Sequence, residues 1–231
     1  SRKTTNRQGG KNGMTIEFLK FHRTIPLVTR FSEHSEVSEQ YRVIRTRVAF
    51  EVKAHQLRSL LVTSACTGEG KTTVAANLAT VLADSGYKVL LVDADIRNGS
   101  LTRGLKMNND QGLSTLLGQT TQATITAHQL SPQGLYLLTS GPKSQNSSAL
   151  FHPERVKQLV KQLKASYDLI IFDAPAISEM VDAQVLAKSL DGTILVVNEK
   201  IVSVKEIKQA KEIIEMVKGN LIGAISNFAY R

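Results

Sequence analysis

The stretch Ala65-Cys-Thr-Gly-Glu-Gly-Lys-Thr-Thr73 holds residue types suited to cradling a phosphate. Gly70, Lys71 and Thr72 match the end of the G-x-x-x-x-G-K-[ST] pattern, with Ala65 in place of its first glycine. The stretch follows a short apolar run and opens a helical pattern, so backbone N–H groups and the helix dipole converge on an anion. Gly68 and Gly70 let the backbone approach phosphate oxygens without a Cβ clash. Lys71 brings a mobile point charge to the β- and γ-phosphates, and the Thr72 hydroxyl is a Mg²⁺ ligand. Thr67, Glu69 and Thr73 complete the nucleotide-binding set.

Two acidic sites accompany the loop. Val89-Leu-Leu-Val-Asp93-Ala-Asp95-Ile-Arg97 carries two carboxylates just past a strand, and Asp168-Leu-Ile-Ile-Phe-Asp173 runs four apolar residues into an aspartate. In open α/β sheets, ligands bind at this carboxyl edge. Asp173 is expected to hold Mg²⁺ there, directly or through water. A carboxylate at the edge accepts a proton from an incoming hydroxyl. Water as that hydroxyl makes an ATPase; a protein side chain makes a kinase.

The elements that must position these groups alternate. Strands are expected at Ser59–Ser64, Lys88–Val92, Leu135–Thr139, Asp168–Phe172, Thr193–Val197 and Leu221–Ser226. Helices are expected over 36–50, Thr72–Ala83, 113–117, 122–129, Pro153–Ala165, Met180–Ser189 and Val204–Val217. Strands apolar on both faces and alternating with helices predict an α/β fold: a mostly parallel sheet with helices on both faces.

The chain has 231 residues, 42% of them apolar, which excludes wholesale disorder. No run reaches the roughly 18 apolar residues of a membrane span, and the basic N-terminal stretch reads as no secretory signal. One cysteine, Cys66, admits no internal disulfide and fits a reducing compartment. The histidines show no ligand spacing. The net charge of +9 invites a nucleic-acid reading, but residues 1–58 hold 12 basic and 5 acidic side chains, a net +7. The remainder is nearly balanced, so no nucleic-acid partner is expected for the main body. Residues 1–34 read as a basic, partly disordered arm directed at anionic lipid or an adaptor, with apolar residues in 14–32 that dock on the domain or a partner.

Taken together, these motifs resemble the bacterial tyrosine kinases of capsule and exopolysaccharide synthesis, from about Glu39 to Asn227. Glu39-Gln-Tyr-Arg42-Val-Ile-Arg45 matches that family's E-x-x-R-x-x-R helix of ring assembly. At spacings of three, Glu39, Arg42 and Arg45 share a face suited to heterologous pairing with a neighbour. The Asp93/Asp95/Arg97 strand resembles the family's extra Walker motif, Leu138–Leu150 its following segment, and Asp168–Pro175 its Walker B strand; the resemblance implies Asp95 as a Mg²⁺ ligand with Asp173 and Thr72, and Lys71, Asp93, Asp95 and Asp173 as the catalytic set. The resemblance implies a P-loop kinase domain over 35–231 that uses ATP and Mg²⁺ and has Asn227 near the adenine. It further implies a homo-oligomeric ring, a separate membrane adaptor or activator, a cognate phosphatase, and a cytoplasmic site held at the inner face of the membrane by that partner.

The chain departs from the family in three places. No proline precedes the loop's Gly-x-Gly; Asp173 is followed by Ala-Pro-Ala; and only Tyr230 stands near the end, where members typically carry a tyrosine cluster. Tyr230 is thus the candidate phosphoacceptor. Two other classes are weighed: a non-catalytic, nucleotide-gated scaffold, and a partition-type ATPase. The latter carries a lysine where this loop has Cys66.

Overall fold

The computed structural model describes residues 25, 27, 29, 35–118, 125–143 and 147–227, with the side chains of 147 and 148 left aside. A seven-stranded sheet organises them. In chain order its strands are β1 (Ser59–Ser64), β2 (Val89–Asp93), β3 (His128–Ser131), β4 (Leu135–Leu138), β5 (Leu169–Asp173), β6 (Gly192–Val197) and β7 (Leu221–Ser226). The spatial order is β3-β4-β2-β5-β1-β6-β7. Every neighbouring pair is parallel except β3–β4.

Strands β1, β2, β5 and β6 are buried at every residue, as helices on both faces require. Successive side chains go to opposite layers: Leu60 and Val62 to one, Leu61 to the other. The Leu60 layer packs under α1 (Glu36–Ala54) and α2 (Lys71–Asp84). The Leu61 layer packs under α6 (Pro153–Leu163), α7 (Val181–Ser189) and α8 (Val204–Met216), with α4 (Leu113–Gly118) beside it. Shorter α3 (Ser100–Gly104) follows β2, and α5 (Ser147–Leu150) precedes α6.

Local chemistry sets the helix starts. Ser35 caps α1 by accepting from the Ser38 amide at 3.2 Å. Pro153 occupies the first turn of α6, where its missing N–H costs nothing. Ser203 and Glu206 form a reciprocal capping box on α8. In α1, Tyr41, Val48 and Val52 face inward, whereas Val37 in the first turn is 43% exposed.

The helix expected over 122–129 is corrected where the structure describes it. Residues 125–127 carry no regular structure, and His128–Ser131 form β3, antiparallel to β4. Hydrogen bonding to an exposed sheet edge overrides the helical composition there. Most of the arm expected at 1–34 lies outside the described residues. Ile25, Leu27 and Thr29 are buried against the α2 layer, and the Thr29 amide and hydroxyl donate to Asn77 Oδ1 at 3.4 and 3.3 Å.

Candidate active site

Central β1 delivers the chain into the phosphate loop. Gly68 and Gly70 take left-handed φ values of 93° and 86°, which any side chain would resist. Gly70 caps α2 without a side chain, and the amides of Lys71, Thr72 and Thr73 have no intrahelical acceptor. That is the geometry of an anion cradle. A cavity of about 450 Å³ adjoins it, lined by Ile25, Thr72, Thr73, Ser100, Arg103 and Gly104.

Carboxylates wrap the first half of the loop. Glu69 is fully buried, and its Oε1 and Oε2 accept from the amides of Cys66 at 2.7 Å and Asn198 at 2.9 Å. Glu179 receives both the amide and hydroxyl of Thr67 at 2.8 Å. Glu206 Oε1 lies 3.6 Å from Cys66 Sγ. Desolvation, then the charge of Glu206, pushes the Cys66 thiol up, away from the thiolate form.

The acidic residues gather at the same edge, in unlike states. Asp93 and Asp173 face each other across the β2–β5 pair. Asp93 is committed: its Oδ2 accepts from the Thr102 amide at 2.8 Å and hydroxyl at 2.6 Å, and its Oδ1 from the Asp95 amide at 3.3 Å. Burial still raises its pKa to about 6. Asp95 accepts from the amide and side chain of Asn98. Asp173 differs. Both its carboxylate oxygens are buried and hydrogen-bond to nothing among the described residues. Burial first, then the charges of Asp93 and Asp95, raises its pKa to about 8 against the opposing pull of Thr72 and Lys71.

That orphaned carboxylate, with the Thr72 hydroxyl beside it, is an all-oxygen donor set that fits Mg²⁺. Among the described residues no three His, Cys, Asp or Glu side chains form a metal cage. Such an ion would therefore complete its shell with phosphate oxygens and water.

Several contacts around the site carry no spacing signal. The Thr102 hydroxyl that holds Asp93 also accepts from the Ser140 amide at 3.0 Å. Asn109 exchanges two 2.7 Å hydrogen bonds with the backbone of Gly141. The strand-end aspartate is thereby tied to the 139–143 loop. Asp182 is buried at the start of α7, with Oδ2 3.4 Å from Arg97 Nε.

The other sequence candidates lie apart. Glu39 and Arg42 pair with each other along α1, and half-buried Arg45 follows one turn later. Asn227 comes to the loop: its side chain donates to Glu69 O at 2.9 Å, and its amide to Val197 O at 2.7 Å. Tyr230 lies outside the described residues. Tyr41 is buried, and desolvation pushes its pKa up to about 12. Tyr87, Tyr136 and Tyr167 stand at the amino ends of β2, β4 and β5, the edge opposite the loop.

That opposite edge holds a paired charge network. Asp191 accepts from the amides of Arg58 and Ser59 at 2.7 and 2.9 Å and from Lys164 Nζ at 2.8 Å. Arg58 Nη2 donates to the carbonyls of Lys164 and Tyr167. Lys88 Nζ lies 5.5 and 5.2 Å from the Tyr136 and Tyr167 ring centroids.

A family model described as an AAA domain matches residues 58–226. Tyrosine-protein kinase YwqD of Bacillus subtilis (strain 168) is 40% identical over 190 residues, covering 82% of this chain and 80% of that protein. The chain belongs to the bacterial tyrosine-protein kinases. Tyrosine-protein kinase CpsD of Streptococcus agalactiae serotype III (strain NEM316) is 30% identical over 200 residues, 86% of this kinase and 85% of that one. Among solved structures, the kinase domain of Escherichia coli tyrosine kinase Etk superposes with a TM-score of 0.82 at 30% identity, covering 91% of this kinase and 86% of that chain. Fold and family make this kinase a nucleotide-binding protein. None of its described helices is long and apolar enough to cross a membrane.

Proposed function

We propose that the site transfers the γ-phosphoryl group of ATP to protein tyrosine with Mg²⁺, and that the kinase thereby regulates capsular or exopolysaccharide synthesis and export. The observation that carries the reading is the buried, unpartnered Asp173 carboxylate beside Thr72 at the mouth of the loop. Leaving a carboxylate there without a partner costs stability that a catalytic site recovers on loading.

The loop amides and Lys71 would hold the β- and γ-phosphates, and Thr72, Asp95 and Asp173 would hold Mg²⁺. Bound there, the cation would supply neutralisation of the charge that builds on the phosphoryl oxygens. The tyrosine oxygen attacks the γ-phosphorus, the bond to the β–γ bridging oxygen breaks, and ADP leaves. Asp95 accepts the phenolic proton. Asp93, already engaged by Thr102, acts by keeping the Asp95 backbone in place. Cys66 sits beside Glu206, with no cation at the loop position where partition-type ATPases have a lysine, which supports the kinase reading.

Around this chemistry we place a homo-oligomeric ring built through Glu39, Arg42 and Arg45, a separate membrane adaptor that recruits the kinase to the inner membrane face, and a cognate phosphatase. Tyr230 is the candidate acceptor. The test is incubation with Mg·ATP, with and without an adaptor tail. Phosphotyrosine on any protein supports the reading; phosphate release alone, or tight ATP binding with no product, overturns it.

A further inference from the structure

Glu69 poses a physical question. A loop built to attract phosphate buries an acidic side chain within itself, at 0% exposure. Buried carboxylates persist where hydrogen bonds satisfy both oxygens. Here Oε1 takes the Cys66 amide at 2.7 Å and Oε2 the Asn198 amide at 2.9 Å. One donor belongs to the loop itself; the other lies just past β6, 129 residues away in sequence. The backbone carbonyl of the same residue takes the Asn227 side chain at 2.9 Å, just past β7. One residue therefore ties the start of the loop to the ends of two neighbouring strands. Its flanking glycines, Gly68 and Gly70, both have positive φ and so impose little stiffness of their own.

We infer that Glu69 is a positioning residue: its buried carboxylate cross-links the phosphate loop to the β6 end, and its carbonyl to Asn227, so that the loop amides stand ready for a nucleoside di- or triphosphate. The inference rests on the proposed nucleotide chemistry of this site. The carboxylate does not touch the phosphates, since both its oxygens are taken by amides. Glutamine preserves the shape but sets an NH₂ group against one of those amides, leaving a buried donor facing a donor. The loop then holds its binding geometry for only part of the time, and nucleotide affinity falls in proportion.

The experiment measures Mg·ADP binding by calorimetry on the full chain, together with KM for ATP, kcat and thermal melting. Wild type, Glu69→Gln and Asn227→Ala are compared, with Lys71→Met as a control for the site. Glu69→Gln should weaken Mg·ADP and raise KM for ATP by about tenfold or more, the equivalent of one charge-assisted hydrogen bond. The change in kcat should be smaller, and the cooperative melt retained. Asn227→Ala should weaken Mg·ADP by a smaller factor. An unchanged Mg·ADP affinity in folded Glu69→Gln overturns the inference. So does a loss that vanishes on cooling below the melt, because the role would then be stability alone. Wild type that binds no nucleotide overturns the proposed function instead, and the Lys71→Met control separates the two failures. Should Glu69→Gln prove too unstable to assay, Glu69→Asp, which keeps the charge but is too short to span both amides, decides by the same criterion.

Discussion

The two edges of the sheet use the same residue types to opposite ends. At the amino ends of the strands, Asp191 is met by two backbone amides and the Lys164 ammonium; despite partial burial, these contacts hold its pKa below the ordinary carboxylate range. At the carboxyl ends, neither oxygen of the wholly buried Asp173 carboxylate is hydrogen-bonded among the described residues, and burial, outweighing the pull of nearby Thr72 and Lys71, raises its pKa to about 8. The strands between the edges are equally well packed, so the difference is not one of general disorder. At the amino edge the protein's own groups partner the carboxylate of Asp191. The other edge is left for a ligand to complete.

The strongest way to break this contrast is at Lys71. Lys71→Met should reduce tyrosine phosphorylation at least about a hundredfold, the scale for losing one key charge-stabilising group. Lys164→Met, the same change at the other edge, should leave the rate unchanged and lower Tm. Equal rates in the two variants would dissolve the distinction.

Asp173→Asn comes next and has two readouts. Phosphorylation should be lost, while the nucleotide-free protein gains thermal stability. The folded state holds the Asp173 proton up to about pH 8, against 3.8 for an ordinary aspartate. Between those values the unfolded chain releases the proton and the folded state keeps it, so stability falls as pH climbs, and asparagine avoids that loss. The Tm advantage of the variant should widen from pH 5 to pH 8 and then level off. A constant gap across that range would rule out the orphaned carboxylate as its source.

Asp191→Asn has the opposite sign. Removing the charge should cost about 1–3 kcal/mol at neutral pH, measured by urea denaturation, with the kinase rate intact. Because the pKa of Asp191 is lowered in the folded state, its stabilisation exists above the ordinary carboxylate range. The gap to wild type should close as pH falls below about 4. The smallest effect on the single molecule belongs to neither edge. Arg42→Ala with Arg45→Ala should leave Tm nearly unchanged, since exposed helix pairs contribute only about 0.3–0.5 kcal/mol. Light scattering should nevertheless show smaller species than wild type, and an unaltered mass would remove α1 as the ring interface.

Much of this architecture is local in the sequence. The apolar runs of β1, β2, β5 and β6 read as strands because parallel sheets bury both faces. The loop is legible because glycine, lysine and threonine must stand at fixed offsets. β3 is not legible: His128, Gln129, Leu130 and Ser131 make neither an apolar run nor a strong alternation, and only pairing with β4 defines them. Nor does spacing distinguish Asp93 from Asp173. Both end apolar strands, and what separates them is Thr102, which reaches one and not the other. The partners of Glu69 are equally hidden, because the Asn198 amide lies 129 residues away.

The placement of Tyr87, Tyr136 and Tyr167 carries a kinetic consequence. The six residues of β1 separate the amino edge from the phosphate loop, a span of roughly 20 Å. Rigid strands cannot fold back across that distance, so a molecule has no route from its own γ-phosphate to these hydroxyls. A phosphate on any of the three would record a meeting between two molecules. Its rate of appearance would rise with the square of concentration in dilute solution and become first order once subunits are held in a stable assembly.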